Sequence, residues 1–271
     1  MLSRIIVLLG ILLFLSCGSP KKTNTNPLTS YPPVSVEGIA KASKLTTQAQ
    51  FELLHLIRGG NNESQVKDSI INTFNKNSAK EDSSLVSSGP NSANINYSEN
   101  NRVMQTGDVV VVATGVKFEG YEGKSSRTYP VGGYFTTRQR QIYKLVIDAQ
   151  REVVSKLKSD MFSLNEATYF VSDYFKNSGI QAKNKTGEYV SIEHFFLNKL
   201  GHYLNKKNGD YSSPLKVGDI ISIEMGIYIE AEDIGIKVED VYAITENGVE
   251  RLAPFPCDID TVEDYVQKAT N

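Results

Sequence analysis

The chain has 271 residues, 40% hydrophobic and 22% charged, with a formal net charge of -2. Such a length and composition fit one large or two small globular domains with a proper core. The near-neutral balance excludes a partner held by bulk positive charge, so no nucleic acid is expected.

Arg4 precedes an apolar run from Ile5 to Leu15, too short to span a bilayer but right for the apolar centre of a secretory signal. The run ends in Phe14-Leu15-Ser16-Cys17, which resembles a bacterial lipobox. Residues 1–16 are therefore expected to be a lipoprotein signal peptide, with Cys17 lipidated and the membrane as its partner. The plain alternative is an ordinary secretory signal with an incidental cysteine. A lipidated Cys17 leaves Cys257 without a partner for an intrachain disulfide. Gly18, rather than aspartate, follows the cysteine, which favours the outer membrane of a bacterial cell envelope. Residues 17–37 combine Pro, Ser, Thr, Asn and Lys with few bulky apolar residues, the composition of a disordered tether spanning roughly 25 Å.

From residue 38 to 271 the pattern is that of one folded domain. A helix is expected over 39–57 and stopped by Gly59-Gly60, and a second from Ser64 carries Val66, Ile70, Ile71 and Phe74 on one face. Residues 82–135 read as strands and turns, with VVVVATGV as a buried strand. Two helices follow, opened by capping boxes at Thr136/Gln139 and Ser163/Glu166, the second ending at Gly179. In DIISIEMGIYI the alternation places Ile221, Ile223, Met225, Ile227 and Ile229 on one face and Ser222, Glu224, Gly226 and Tyr228 on the other. In GIKVEDVYAI the apolar phase shifts between Val238 and Val241, which predicts a bulge at Glu239-Asp240.

Helices, sheet, helices, sheet in this order give an α+β domain. The stretches SSGPNSANINYSENNRVMQTGDVVVV, GYEGKSSRTYPVGGYFTTRQRQIYKLVIDAQ, NKLGHYLNKKNGD, LKVGDIISIEMGIYI and GIKVEDVYAIT resemble the pita-bread metallopeptidases, in their Xaa-Pro aminopeptidase, prolidase and creatinase-like branch. That resemblance implies a pita-bread fold, a curved antiparallel sheet flanked by helices. It also implies a centre of two divalent metals held by two aspartates, one histidine and two glutamates, with further histidines for substrate and proton transfer.

Mapped onto this sequence, the resemblance puts His202, Glu224 and Glu239 at three of those ligand positions. The two aspartate positions fall on Ala113 and Lys124, and the accessory histidines on Asn96, Asn198 and Gly209. In the family, four carboxylates balance two dications; here two glutamates and a lysine leave one net negative charge, so two adjacent dications would be undercompensated. A single divalent metal on one histidine and two carboxylates is an allowed set. Lys124 would oppose it, and is expected to lie against Glu224 or Glu239 instead.

His202 is thus either a structural remnant, the ligand of one inert metal, or part of an altered hydrolase site. His55 and His194 have no expected chemical role, and Cys257 reads as a small buried residue. No G-x-S-x-G, phosphate loop or H-E-x-x-H occurs. The degenerate set predicts an anchored envelope protein, a pseudoenzyme whose cleft binds a peptide or protein partner without a cofactor. A single-metal surface aminopeptidase is the alternative.

Overall fold

A computed structural model describes residues 35–157 and 162–270. The expected signal peptide, Cys17 and the tether as far as residue 34 lie outside the described residues. The tether's expected last residues do not belong to it. Ser35 caps helix α1 (Val36–Glu52) by accepting the Gly38 N–H at 3.2 Å, and Glu37 sits in the positive first turn. The helix also ends before the glycine pair. A tighter turn over Leu54–Leu56 continues the helical path, and Gly60, at φ +93, redirects the chain.

Helix α2 (Glu63–Lys76) begins at a reciprocal cap between Asn62 and Gln65. Strands β1 (Lys80–Glu81) and β2 (Leu85–Ser88) lead through a 3-10 turn at Gly89–Ala93 to the long hairpin of β3 (Val109–Phe118) and β4 (Tyr121–Pro130). Helices α3 (Thr137–Lys156) and α4 (Leu164–Asn177) both carry the expected capping boxes. The chain continues through β5 (Gln181–Lys183), β6 (Tyr189–Ser191), β7 (Gly201–Tyr203), β8 (Ile220–Ile229), β9 (Ile234–Thr245) and β10 (Gly248–Arg251). It closes on α5 (Ile259–Thr270).

Eight of these strands form one antiparallel sheet in the order β1-β3-β4-β9-β8-β7, with β2 also paired to β3 and β10 to β9, while β5 and β6 make a separate hairpin. Helices α1, α3 and α5 pack against the sheet. The five alternate apolar residues of β8 are fully buried in the main core, together with Ala49, Leu53, Ile142, Val146 and Val266. Burial of that stripe at about 25 cal/mol per Å² is what holds helices and sheet together.

The predicted bulge is absent. Strands β8 and β9 pair without interruption from Ile220↔Ala243 to Ile229↔Ile234, through Ile223↔Asp240 and Glu224↔Glu239. The apolar phase breaks because Asp240 occupies a core-facing position. There it pairs with Arg127 at 2.6 Å and Arg251 at 2.7 Å. Val241 and Ala243, on the opposite face, are apolar because they pack with Ile39, Ile220 and Leu252 in a second, smaller cluster.

Arg127 is fully buried and stitches β4 to its surroundings. Its guanidinium donates to the carbonyls of Ser126, Glu239, Phe255 and Pro256 as well as to Asp240. Thr128 adds to this joint, its hydroxyl accepting the Lys237 N–H and donating to the Lys237 carbonyl.

Candidate functional site

The face of the sheet turned away from the main core gathers the residues singled out in the sequence. Register puts Ala113 opposite Ser126, Ser126 opposite Glu239, and Glu239 opposite Glu224, a row that crosses β3, β4, β9 and β8. His202 on β7 stands opposite Ser222, two residues from Glu224 on the same face. Lys124 lies two residues from Ser126, and Lys237 two from Glu239. The period of two, applied across five strands, thus brings together His202, Glu224, Glu239, Lys124 and Lys237.

Lys237, not Lys124, pairs with a glutamate. Its ammonium is 3.0 Å from Glu224 Oε1, with the lysine side chain 15% and the glutamate 29% exposed. Among the described residues Lys124 makes no ion pair. It is one residue further along the face, and its charge still acts on both Glu239 and His202. The sequence offered a signal for Lys237: in a strand, Gly235, Lys237 and Glu239 must share one face.

Burial raises the carboxyl of Glu239, and the neighbouring Glu224 charge raises it further, against the pull of Lys237, Lys124 and a 3.0 Å hydrogen bond from Ser126 Oγ. Its Oε1 is buried without a hydrogen-bond partner among the described residues. Burial alone would lower Lys237, but the two glutamates reverse this and hold it above the ordinary lysine value. His202 is lowered from 6.5 to about 4, first by burial and then by Lys124, with Lys199 and Lys237 adding and Glu224 opposing. It is a neutral imidazole at pH 7, 3.2 Å from Ser222 Oγ. The Tyr228 hydroxyl, on the same face, is pushed up to about 12 by burial.

The remaining positions lie apart from this row. Asn96 is exposed in a turn closed by Asn94, and Asn198 is exposed with a left-handed backbone at φ 51. At Gly209 an added Cβ would fall 2.0 Å from the Tyr203 ring, so the ring takes the space of a larger side chain. His55 and His194 are both exposed, and Cys257 is half-buried against the core, less buried than its sequence suggests.

The profile of Metallopeptidase family M24 matches residues 37–246, most of the described chain. The chain belongs to Metallopeptidase family M24. Among curated relatives it is 30% identical over 243 residues to the Xaa-Pro aminopeptidase of Escherichia coli K12, covering 81% of this chain and 55% of that protein. It is 28% identical over 257 residues to the Xaa-Pro aminopeptidase of Haemophilus influenzae, covering 86% and 60%. A solved variant of Escherichia coli aminopeptidase P superposes with a TM-score of 0.80 at 26% identity, covering 88% of this chain and 59% of that one. The M24 domain therefore has the aminopeptidase P-like pita-bread fold, and the chain spans under two thirds of the length of these relatives.

A metallopeptidase family implies metal, and the donor set of this M24 domain does not fit it. The row that would supply carboxylates begins at Ala113, which has no donor atom, and Lys124 adds a cation beside it. An ammonium already saturates Glu224 Oε1. Among the described residues no group of three or more His, Cys, Asp or Glu side chains is placed to hold a metal ion. Bringing a dication beside Lys237 and Lys124 would set four positive charges against two carboxylates in a largely dry site.

Proposed function

We propose that this protein is a non-catalytic, lipid-anchored member of the M24 family, held in the cell envelope through Cys17, whose cleft binds a peptide or protein partner. The observation that carries the reading is the Lys237–Glu224 pair, an internal cation in contact with a carboxylate needed for any metal chemistry. Without a metal, peptide hydrolysis here would need another activated nucleophile. Among the described residues the neutral His202 is hydrogen-bonded to Ser222 alone, and no carboxylate accepts from the imidazole to orient it as in a charge-stabilised triad. What the face does offer is half-buried donors and acceptors at close spacing, Lys124, Tyr228 and Glu224, suited to a chain with free amide groups.

The test is calorimetric titration of the full-length protein in detergent with Zn²⁺, Mn²⁺ and Co²⁺, followed by a peptidase assay on Xaa-Pro peptides, the substrates that its relatives' names imply. The expected result is no stoichiometric metal binding up to millimolar concentration and no turnover. Stoichiometric binding that disappears in His202→Ala, together with cleavage, would restore the single-metal aminopeptidase. The anchor is tested separately, by metabolic labelling with an alkyne fatty acid: wild type should be labelled and sediment with outer-membrane vesicles, and Cys17→Ser should be neither.

A further inference from the structure

Next to the cleft, beyond Tyr228, a pocket of about 240 Å³ opens between the turn after Gly89–Ala93, the β5–β6 hairpin and the 194–197 segment. Its apolar wall includes Ile95, Phe195, Leu197 and Tyr228, and its rim includes Lys183 and Lys185. Ile95 and Leu197 are 49% and 44% exposed. Neither contributes to the core, and single exposed apolar residues need no explanation; two from distant turns that line one pocket do.

Charge adds a second constraint. Lys183 makes no ion pair among the described residues; its ammonium sits 5.5 Å over the Tyr189 ring. Lys185 pairs at 2.7 Å with Glu230, with both side chains more than half exposed, so the pair is worth little and exchanges readily with another carboxylate. The other nearby carboxylate, Glu232, is already taken by Arg138, so two lysines share one exposed glutamate beside an apolar pocket. Tyr228 is the link to the cleft, since its hydroxyl lies within the field of Lys237, Glu224 and Glu239.

We propose that this pocket seats one aliphatic side chain of an extended peptide whose flanking residues are acidic, with Lys183 and Lys185 taking the carboxylates and the cleft beyond Tyr228 taking the adjoining backbone. The proposal rests on the reading of the domain as a peptide binder and adds which peptide it selects. Apolar burial gives affinity and the lysines give discrimination, the usual division of labour in peptide grooves.

The test is fluorescence anisotropy of the full-length protein in a neutral detergent with three labelled peptides: Gly-Gly-Asp-Leu-Asp-Gly-Gly, the same with serine for leucine, and the same with lysines for both aspartates. The first should bind at least about fivefold tighter than either of the others, a conservative share of what one buried aliphatic side chain supplies. Leu197→Asp and Ile95→Asp, both at exposed positions and checked for native circular dichroism, should each weaken the first peptide about tenfold. Lys183→Glu should shift preference toward the lysine peptide. Equal binding of the leucine and serine peptides, or binding unmoved by Leu197→Asp, overturns the pocket. If binding persists in that variant but is lost in Lys124→Glu, the cleft still binds peptide and only the pocket is wrong. No binding of any peptide removes both.

Discussion

Replacing Lys237 by methionine keeps the apolar stem and removes only the charge, so the variant isolates the ion pair with Glu224. At 3.0 Å and an effective dielectric near 20, the gross Coulomb attraction is about 5.5 kcal/mol. The net loss is smaller, because the pair is neither exposed, where such contacts contribute about 0–1 kcal/mol, nor sealed, where removing one partner costs about 3–5 kcal/mol. With side chains 15% and 29% exposed, an intermediate loss of about 2–3 kcal/mol is expected. For a domain of this size that corresponds to a fall of roughly 4–12 °C in Tm. Urea denaturation at pH 7 measures it, since the midpoint should drop with little change in slope. The double variant Lys237→Met/Glu224→Gln should recover more than half of the loss, because the penalty lies in the stranded carboxylate. A single variant as stable as wild type, or a double variant no better than the single, would refute the idea that the lysine neutralises this site.

Three further outcomes follow from the same geometry. The His202 ring, followed by its nuclear magnetic resonance shifts, should titrate near pH 4. Because its folded value lies below 6.5, its contribution to stability is complete above pH 6.5 and is lost as pH falls to about 4. The loss is up to roughly 3 kcal/mol, and His202→Gln should flatten that limb of the stability curve. Arg127→Met leaves Asp240 to Arg251 alone, strands several buried carbonyls and should cost about 3–5 kcal/mol in urea denaturation. Arg127→Lys should recover only part of it, since one ammonium cannot reproduce the guanidinium fork. Gly209→His should destabilise by about 1–3 kcal/mol and shift the near-ultraviolet signal of Tyr203, because the ring must move.

Several parts of this molecule could be read without coordinates because they obey local rules. The caps at Thr136 and Ser163, the alternation in β8 and the glycine turns depend on residues within a few positions of each other. The alanine at 113 and the lysine at 124 could be read there too, since residue type needs no coordinates. What local reading missed is short or non-local: β5, β6 and β7 are three residues each and exist only through their partners. The phase shift at Asp240 looked like a bulge because its salt bridges come from Arg127, far away in sequence, and Arg251.

The sequence by itself determined the fold and family, through long stretches of matching pattern, and which residue types stand at positions 113 and 124. Tertiary structure decided which cation pairs with Glu224. Lys124 and Lys237 lie on the same face as Glu224 and Glu239, and only the strand register and side-chain reach select Lys237 as the partner. A period of two says which side of a sheet a residue faces, whereas the ångström separations across neighbouring strands, on which Coulomb energy depends, are set when the strands pair.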